Sequence, residues 1–528
     1  MLSKKLKLYF NTLKFMKPSQ VSYQLYYRLL SKLGKSEFSN KLEIRLEPLH
    51  FIKAIYSSPS YSIEMNSFTF LNQTKTFLQT IDWNFTDHGK LWTYNLNYFD
   101  FLEQEGLSKE IGLNLIHDFC SKGNTHIEAY EPYPISLRVV NWVKFLSRHQ
   151  VFDDTINHQL IQDLYRLKGK IEYHIMANHL FENGFGLLFG AYFFQDEKLY
   201  RSAKDIILSQ LQEQILPDGA HYELSPMYHN IILLRILDSY QLVSRNNWRA
   251  NELSKEFKEA AALMLGWMNT MSFSNGEMPC LNDSTSDIAP RPQEINDYAK
   301  LLGIEQTNSK LSSCGYRKYL SNGLELMFDC GQIAPSYQPG HSHADSLQIL
   351  LYEHGIPVIV DTGISTYEKN ERRHLERSTS SHNTVTVDGK NSSEVWSGFR
   401  VGRRAVVNIQ RENFNSITTE HNGYRDLGIT HQRTIEKSST GFKISDNILG
   451  PAKNRIIQGH LHFHPENSIV ISENLIQINN NVQVKFNFVE DLIVQNYKFA
   501  DGFNLLRDGK KIIFTFKQSC CFEINRIV

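Results

Sequence analysis

The spacing of apolar residues changes character once along this chain, near residue 312, and that change bounds what it can fold into. Before it, apolar residues recur at helical intervals. Val139, Val140, Trp142, Val143 and Phe145 fall in one run. Ile156, Leu160, Ile161, Leu164 and Leu167 make a cleaner stripe, and Ile206, Ile207, Leu208, Leu211 and Ile215 a third. Residues three and four apart share a helix face, so each run predicts an amphipathic helix. Short connections between such helices predict antiparallel neighbours, stacked as a bundle or closed into an α/α ring. After residue 312 strict alternation takes over, at 324–328, 346–352, 384–387, 405–409 and 482–488. Side chains on a strand alternate faces, so this pattern predicts half-buried strands. Asp388-Gly389, Asn422-Gly423 and Asp508-Gly509 are placed as hairpin turns. Strands following one another without intervening helices predict an antiparallel sandwich, not a βαβ domain. The expectation is an α+β multidomain chain: a helical extension over residues 1–85, a helical domain over 86–311 and a β-sandwich over 312–528.

At 528 residues, one ordinary core would be too small for the chain. Lys plus Arg and Asp plus Glu both number 56, so no global basic field points to nucleic acid. No Gly-rich phosphate loop is visible, which argues against a nucleotide cofactor. Aromatics at 12% suit both core packing and a carbohydrate cleft. The six cysteines form no CxxC pair and read as reduced core residues. The first twenty residues are basic but lack a continuous apolar region and a cleavage site, and no stretch is long enough to span a membrane. The expected location is therefore cytoplasmic, with the periplasm ranked second. Leu2, Leu6, Tyr9, Phe10, Leu13 and Met16, interleaved with lysines, predict a basic amphipathic helix. It either touches a membrane surface or packs on the body of the protein. A turn is expected at Ser57-Ser58-Pro59-Ser60-Tyr61-Ser62.

The densest cluster of polar chemistry runs from Gly340 to Arg404. His341 and His343 sit at i and i+2, on one face of an extended strand. Asp361 follows the apolar run Ile356 to Val360, and His382 comes later. Two imidazoles and a carboxylate brought together would suit zinc or another divalent ion. In the helical half, Asn178, His179 and Glu182 spread over one turn, with His179 and Glu182 placed in i,i+3 contact. They form either a capped helix end or a polar patch in a cleft. Ser225-Pro226 reads as an N-cap followed by Pro at the first helical position, which puts Tyr228 and His229 in a helix's first turn. Anions are favoured there, and an ionised phenol would be stabilised; the alternative is a tyrosine packed in the core. Leu281-Asn282-Asp283-Ser284 reads as a turn whose carboxylate caps a helix.

Four stretches together resemble the heparinase II/III-like family. They are NHLFENG at 178–184, DGAHYELSPMYH at 218–229, CLNDS at 280–284, and GHSHAD, VDTGISTY and RSTSSHNTVTVDGKNSSEVW within 340–396. The resemblance implies a polysaccharide lyase with an N-terminal incomplete α/α toroid and a C-terminal antiparallel β-sandwich. It implies that Asn178 neutralises a uronate carboxylate with His179 beside it. Tyr228 would act as base and then acid, and His341 as the catalytic histidine. His343, Asp361 and His382 would hold a structural zinc. Tyr367 and Arg377 are matched more loosely as substrate contacts, and Glu182 and Tyr222 are placed in the same cleft. The implied partner is an acidic polysaccharide or oligosaccharide, with a homo-oligomer as a further expectation. β-Elimination removes the C5 proton of a uronate, so the carboxylate must be neutralised as charge develops. The Tyr228 phenol, expected to be acidified by the helix start and a nearby imidazolium, would then carry the proton. Surface-polysaccharide editing is the expected setting. Two other functions use the same residues: a non-catalytic glycan-binding scaffold, and a hydrolase or transferase working through Glu182, Glu223 and Asp283.

Overall fold

The computed structural model describes residues 2–33, 48–52, 59–123 and 127–527. Helices α1 (Leu2–Leu13) and α2 (Pro18–Leu33) come first. A small antiparallel sheet of Tyr61–Ser62, Ser67–Phe70 and Gln73–Thr76 follows. Part of the turn expected at Ser57 to Ser62 lies outside the described residues, and Tyr61 and Ser62 belong to a strand. This sheet was not anticipated, because its only alternating apolar pair is Phe68 and Phe70. Its tight turn rests on Leu71 and Asn72, both left-handed at φ 54° and 58°, the geometry of a two-residue hairpin. Phe68, Phe70, Phe77, Trp83 and Phe85 share one core with the helices that follow.

Those helices are α3 (Lys90–Tyr98), α4 (Lys109–Ser121), α5 (Pro132–Arg148), α6 (Asp154–Gly169), α7 (Ala177–Phe194), α8 (Glu197–Gln214), α9 (Pro226–Arg245), α10 (Ser254–Met271) and α11 (Pro292–Leu301). The three apolar runs read from sequence fall on α5, α6 and α8, with α8 ending one residue short of Ile215. Their stripes are buried: Val139, Trp142, Ile156, Leu160, Leu164 and Ile207 are fully covered. Helix α7 packs against both α5 and α8 and is buried along most of its length.

After α11 the chain becomes β. One four-stranded sheet joins Tyr316–Ser321, Leu324–Asp329, Ile349–Glu353 and Ile356–Ile359. The largest sheet runs in the order Val407–Glu412, Ser416–Tyr424, Ile429–Lys437, Gly441–Leu449, Ser519–Arg526, Val482–Asn487, Leu475–Ile478 and Ile469–Ser472. A further sheet orders Asp491–Gly502, Leu505–Thr515, Ile457–His462 and Val385–Val387. All these pairings are antiparallel. Leu326, Ile349, Ile417, Ile444, Phe514 and Phe522 fill the space between sheets. The chain is thus an α+β protein, helical first and sandwich second. A third apolar cluster holds the halves together, since Leu224, Trp267 and Leu281 from the helical side meet Tyr316, Met327 and Leu350 from the sheet. Short helix α12 (Glu371–Glu376) lies in the long connection between Ile359 and Val385. No described helix is long and apolar enough to cross a membrane.

Of the three Gly turns read from sequence, only Asp388-Gly389 closes a hairpin, with Val387 bridged to Lys390. Asn422 and Gly423 lie inside a strand, where the register shifts between His421 and Tyr424 to make a bulge. Asp508 and Gly509 pair with Lys498 and Tyr497 in mid-strand. A Cβ at Gly509 would meet the Tyr497 ring at 2.6 Å, so the glycine makes room for a cross-strand aromatic.

Candidate active site

The site forms where the first turn of α9, the loop at Asn282 and the 340–346 segment are tied together. Ser225 caps α9, its hydroxyl accepting from the Tyr228 N–H at 3.3 Å and donating to the Asp283 carbonyl at 2.7 Å. The Met227 N–H donates to the Ser284 hydroxyl at 3.2 Å. On the other side, the Asp283 N–H donates to the His341 carbonyl at 3.1 Å, and the His343 N–H to the Asn282 side chain at 2.9 Å. These bonds bring the Tyr228 and His341 rings to 3.9 Å between centroids. A phenol from a helix start and an imidazole from the β-half therefore converge, as the sequence predicted.

His341 and His343 do not lie on a strand, because the 339–346 segment is irregular. Their common orientation comes instead from Asp283. Its Oδ2 lies 2.9 Å from His341 Nδ1 and its Oδ1 2.8 Å from His343 Nε2. Arg373 of α12 closes the same carboxylate bidentately at 2.5 and 2.7 Å. Burial opposes a charge there, but Arg373 and the two imidazoles overcome it and hold the Asp283 carboxyl well below the usual range. Asp283 is thus a hub where sequence reasoning saw only a cap. Arg373 was missed in favour of Arg377, although both stand in the same Glu371 to Ser378 stretch. The Arg377 guanidinium is buried and donates to the carbonyls of Ser342, Gly398 and Arg400, among others. That role is a loop clamp, not a substrate contact.

Asn178 and His179 enter from the first turn of α7, just after Met176 and Ala177 take left-handed φ values of 64° and 54°. The Asn178 backbone N–H and Nδ2 donate to Glu223 Oε1 at 2.9 and 3.0 Å, while its Oδ1 is buried without a partner. Glu223 Oε2 also lies 3.3 Å from His341 Nε2. His179 pairs not with Glu182 but with Glu172, its Nδ1 3.0 Å from Oε1. Burial disfavours the His179 cation, yet Glu172 and, more distantly, Glu223 outweigh it, and the His179 pKa is raised. The Tyr133 ring lies 4.5 Å from that imidazole. Glu182 is fully buried and bound to Arg235 Nε at 3.1 Å, so the i,i+3 contact and the cleft position placed on it do not occur. The reason is that the Arg235 guanidinium of α9 takes the Glu182 carboxylate.

The expectation of an acidified Tyr228 is also overturned. Desolvation dominates and drives its pKa upward, with Asp283 and Glu223 adding to the rise and the Tyr367 hydrogen bond and Arg373 opposing it. A helix start contributes about half a positive charge, too little to reverse burial beside two carboxylates. Tyr228 is therefore a protonated phenol at rest. Its hydroxyl lies 3.3 Å from that of Tyr367, which brings Tyr367 into the same cluster. Tyr222 points elsewhere: its hydroxyl meets Tyr337 at 2.9 Å, and both line a neighbouring groove of about 660 Å³ with Glu213.

His343, Asp361 and His382 sit behind this cluster. The rings of His343 and His382 are 5.3 Å apart, and His382 Nδ1 lies 2.8 Å from Asp361 Oδ2. His343 Nδ1 and His382 Nε2 are buried without partners. Two imidazoles with a spare nitrogen and one carboxylate are the donor types zinc accepts. Asp361 meets His382 on the nitrogen opposite the spare one, and among the described residues no three such side chains form a ready cage. The hydrolytic alternative finds its three carboxylates engaged: Glu182 by Arg235, Asp283 by Arg373 and Glu223 by Asn178.

Residues 124–307 match the family model Heparinase II/III N-terminus, and residues 306–526 match Heparinase II/III-like, C-terminal. The chain belongs to the heparinase II/III-like family. A heparin-sulfate lyase of Bacteroides stercoris is 26% identical over 320 residues, covering 55% of this chain and 46% of the relative. One from Pedobacter heparinus is 23% identical over 373 residues, covering 66% and 54%. The chain thus spans about half the length of the curated relatives it matches. A crystal structure of heparinase III superposes with a TM-score of 0.67 at 14% identity, covering 97% of this chain and 92% of that one. A second heparinase III structure gives 0.61 at 17%, covering 86% and 81%. At these identities the likeness establishes the shared fold of this heparinase II/III-like chain.

Proposed function

We propose that the protein is a polysaccharide lyase that cleaves a uronate-containing glycan by β-elimination. The observation that carries this is the convergence of a protonated phenol and a carboxylate-anchored imidazole beside the Asn178–His179 pair. A uronate carboxylate binds against the Asn178 amide and the His179 cation, which stabilise the charge that builds up when C5 loses its proton. His341, held through Nδ1 by Asp283, receives that proton on Nε2, where Glu223 Oε2 at 3.3 Å stabilises the imidazolium that results. The C5–H electron pair becomes the C4=C5 double bond, the C4–O bond breaks, and Tyr228 gives its proton to the departing oxygen. Tyr367 orders the Tyr228 hydroxyl.

The glycan is one of low charge density. The sequence has no run of basic residues of the kind clustered sulfates would demand, and Arg373, which reaches the cluster, is engaged by Asp283. A surface polysaccharide under assembly or turnover fits this better than heparin, although the named relatives are heparin-sulfate lyases. Purified protein given a panel of uronate glycans, heparan sulfate among them, should release product absorbing at the ultraviolet edge. Tyr228→Phe should lower kcat about 10²- to 10⁴-fold without changing Tm. A substrate with an activated leaving group at O4 should restore turnover to that variant. No unsaturated product from any glycan sinks the reading, and failed rescue would give the base role to Tyr228.

The same reading includes a divalent ion, zinc by preference, which the spare nitrogens of His343 and His382 would hold, with Asp361 orienting His382 through Nδ1. Such an ion would fix the 340–346 loop against the chain leaving Ile359. Metal content near one per chain, and a Tm lowered by several degrees on chelation, are the expected results.

A further inference from the structure

Helices α1 and α2 are mounted with their apolar stripes facing outward. Leu6, Phe10 and Leu13 fall at i, i+4 and i+7, one face of a helix, and are 62, 69 and 55% exposed, while Tyr9 at their edge leans on Trp396 at 5.1 Å. On α2, Leu25, Tyr26 and Leu29 are 55, 52 and 62% exposed on one side. The inward sides carry the anchors. Trp396 donates through Nε1 to Thr12 at 3.1 Å, and Asn11 donates to Glu394 at 3.2 Å. Tyr27 donates to the Ile171 carbonyl at 2.6 Å, and Tyr23 stacks on Tyr173 at 4.7 Å. The pair therefore grips the sandwich through α1 and the approach to Asn178 and His179 through α2, with its apolar surface turned away from both.

Charge indicates what covers that surface. Residues 2–33 contain seven Lys and Arg and no Asp or Glu, in a chain whose totals are equal, so the rest is net acidic by the same seven. Lys7 and Lys14 are exposed beside the α1 stripe. An apolar stripe flanked only by bases is the pattern of a helix lying in the headgroup plane of an anionic membrane. A second copy of this chain is a poor occupant, because a two-fold contact would set one basic face against the other. We propose that the outward face of α1 and α2 docks on an anionic lipid bilayer without crossing it. Docking there would hold the cleft at a fixed orientation to the membrane, whatever glycan the cleft takes, so the proposal stands apart from the lyase reading.

Flotation of the full chain with vesicles tests it, using phosphatidylcholine alone and phosphatidylcholine with about one third phosphatidylglycerol. The protein should float with the anionic vesicles, stay behind with the neutral ones, and be released at about 0.5 M salt. Combined Phe10→Ser, Leu25→Ser and Leu29→Ser should cut binding about tenfold or more at unchanged Tm. Combined Lys7→Glu and Lys14→Glu, which spares the apolar stripe, should weaken binding to anionic vesicles as well. No flotation of the wild type, or equal flotation of the apolar variant, overturns the proposal. So does a wild-type dimer in solution that the apolar variant converts to monomer, since a second copy would then be the occupant.

Discussion

His179 owes its raised pKa chiefly to one neighbour, and that dependence can be measured. Its pKa is raised because Glu172 at 3.0 Å outweighs burial. A cation with a raised pKa is present below that value and lost as pH rises through it. If the cation neutralises the uronate, kcat/KM falls along an alkaline limb set by His179. Glu172→Gln removes the charge while keeping a hydrogen-bonding group. The limb should then move to lower pH, towards the usual imidazole value near 6.5, with kcat/KM roughly tenfold lower in mildly alkaline buffer. A pH–rate profile with an unmoved limb would detach His179 from the chemistry. This wiring was only half legible in the sequence. Asn178 and His179 stood out against the apolar helices, Tyr228 by the Ser225-Pro226 helix start and His341 by its spacing from His343, and the family resemblance supplied their roles. Glu172 did not, because it precedes α7 across the left-handed turn at Met176 and Ala177, where helical spacing carries no information. That spacing pointed to Glu182, which Arg235 holds.

At the scale of elements, the site depends on how closely α5 approaches α7. Gly186 permits that approach: a Cβ there would stand 2.8 Å from the Ser136 Cα and 3.1 Å from its carbonyl oxygen. Main-chain atoms of a buried helix cannot rotate away, so Gly186→Ala must push the helices apart. The expected cost is about 1–3 kcal/mol, read as a lowered denaturation midpoint. Because Asn183 of α7 donates to the Ser136 hydroxyl at 3.1 Å and to Glu172 at 3.0 Å, the displacement should also weaken substrate binding. Ala at Gly276, where nothing stands within 4 Å but φ is +83°, tests backbone strain without a clash and should leave KM unchanged. Helices and strands were readable because their periods, 3.6 and 2, are written in consecutive residues. Turns were less so: Asp508-Gly509 looks the same in sequence whether it closes a hairpin or admits the Tyr497 ring from the next strand.

For the whole molecule, the division into helical and β halves followed from one change of period, whereas the links between halves did not. Asp283 joins α9, α12 and the 340–346 loop, and nothing near it in sequence marks that reach. Burial on this scale has a global consequence for pH. His221, His229 and His460 are buried, and burial is the first cause that pushes their pKa values down, to about 4, 3 and 3. The folded state keeps all three neutral, while the unfolded chain protonates them near 6.5. Between about pH 6 and 4.5 these three sites therefore bind more protons in the unfolded state, and their contribution to stability falls as pH falls. Each histidine contributes about 1.4 kcal/mol per pH unit, or about 4 kcal/mol per pH unit together. Asp283 and Asp446 have depressed carboxyl pKa values, so their contribution is lost only at lower pH, below the ordinary value near 3.9. Urea denaturation across that window should show the loss, and His460→Gln should lower the slope by about 1.4 kcal/mol per pH unit. A His460→Gln slope equal to that of the wild type would mean that this imidazole reaches water in the native state.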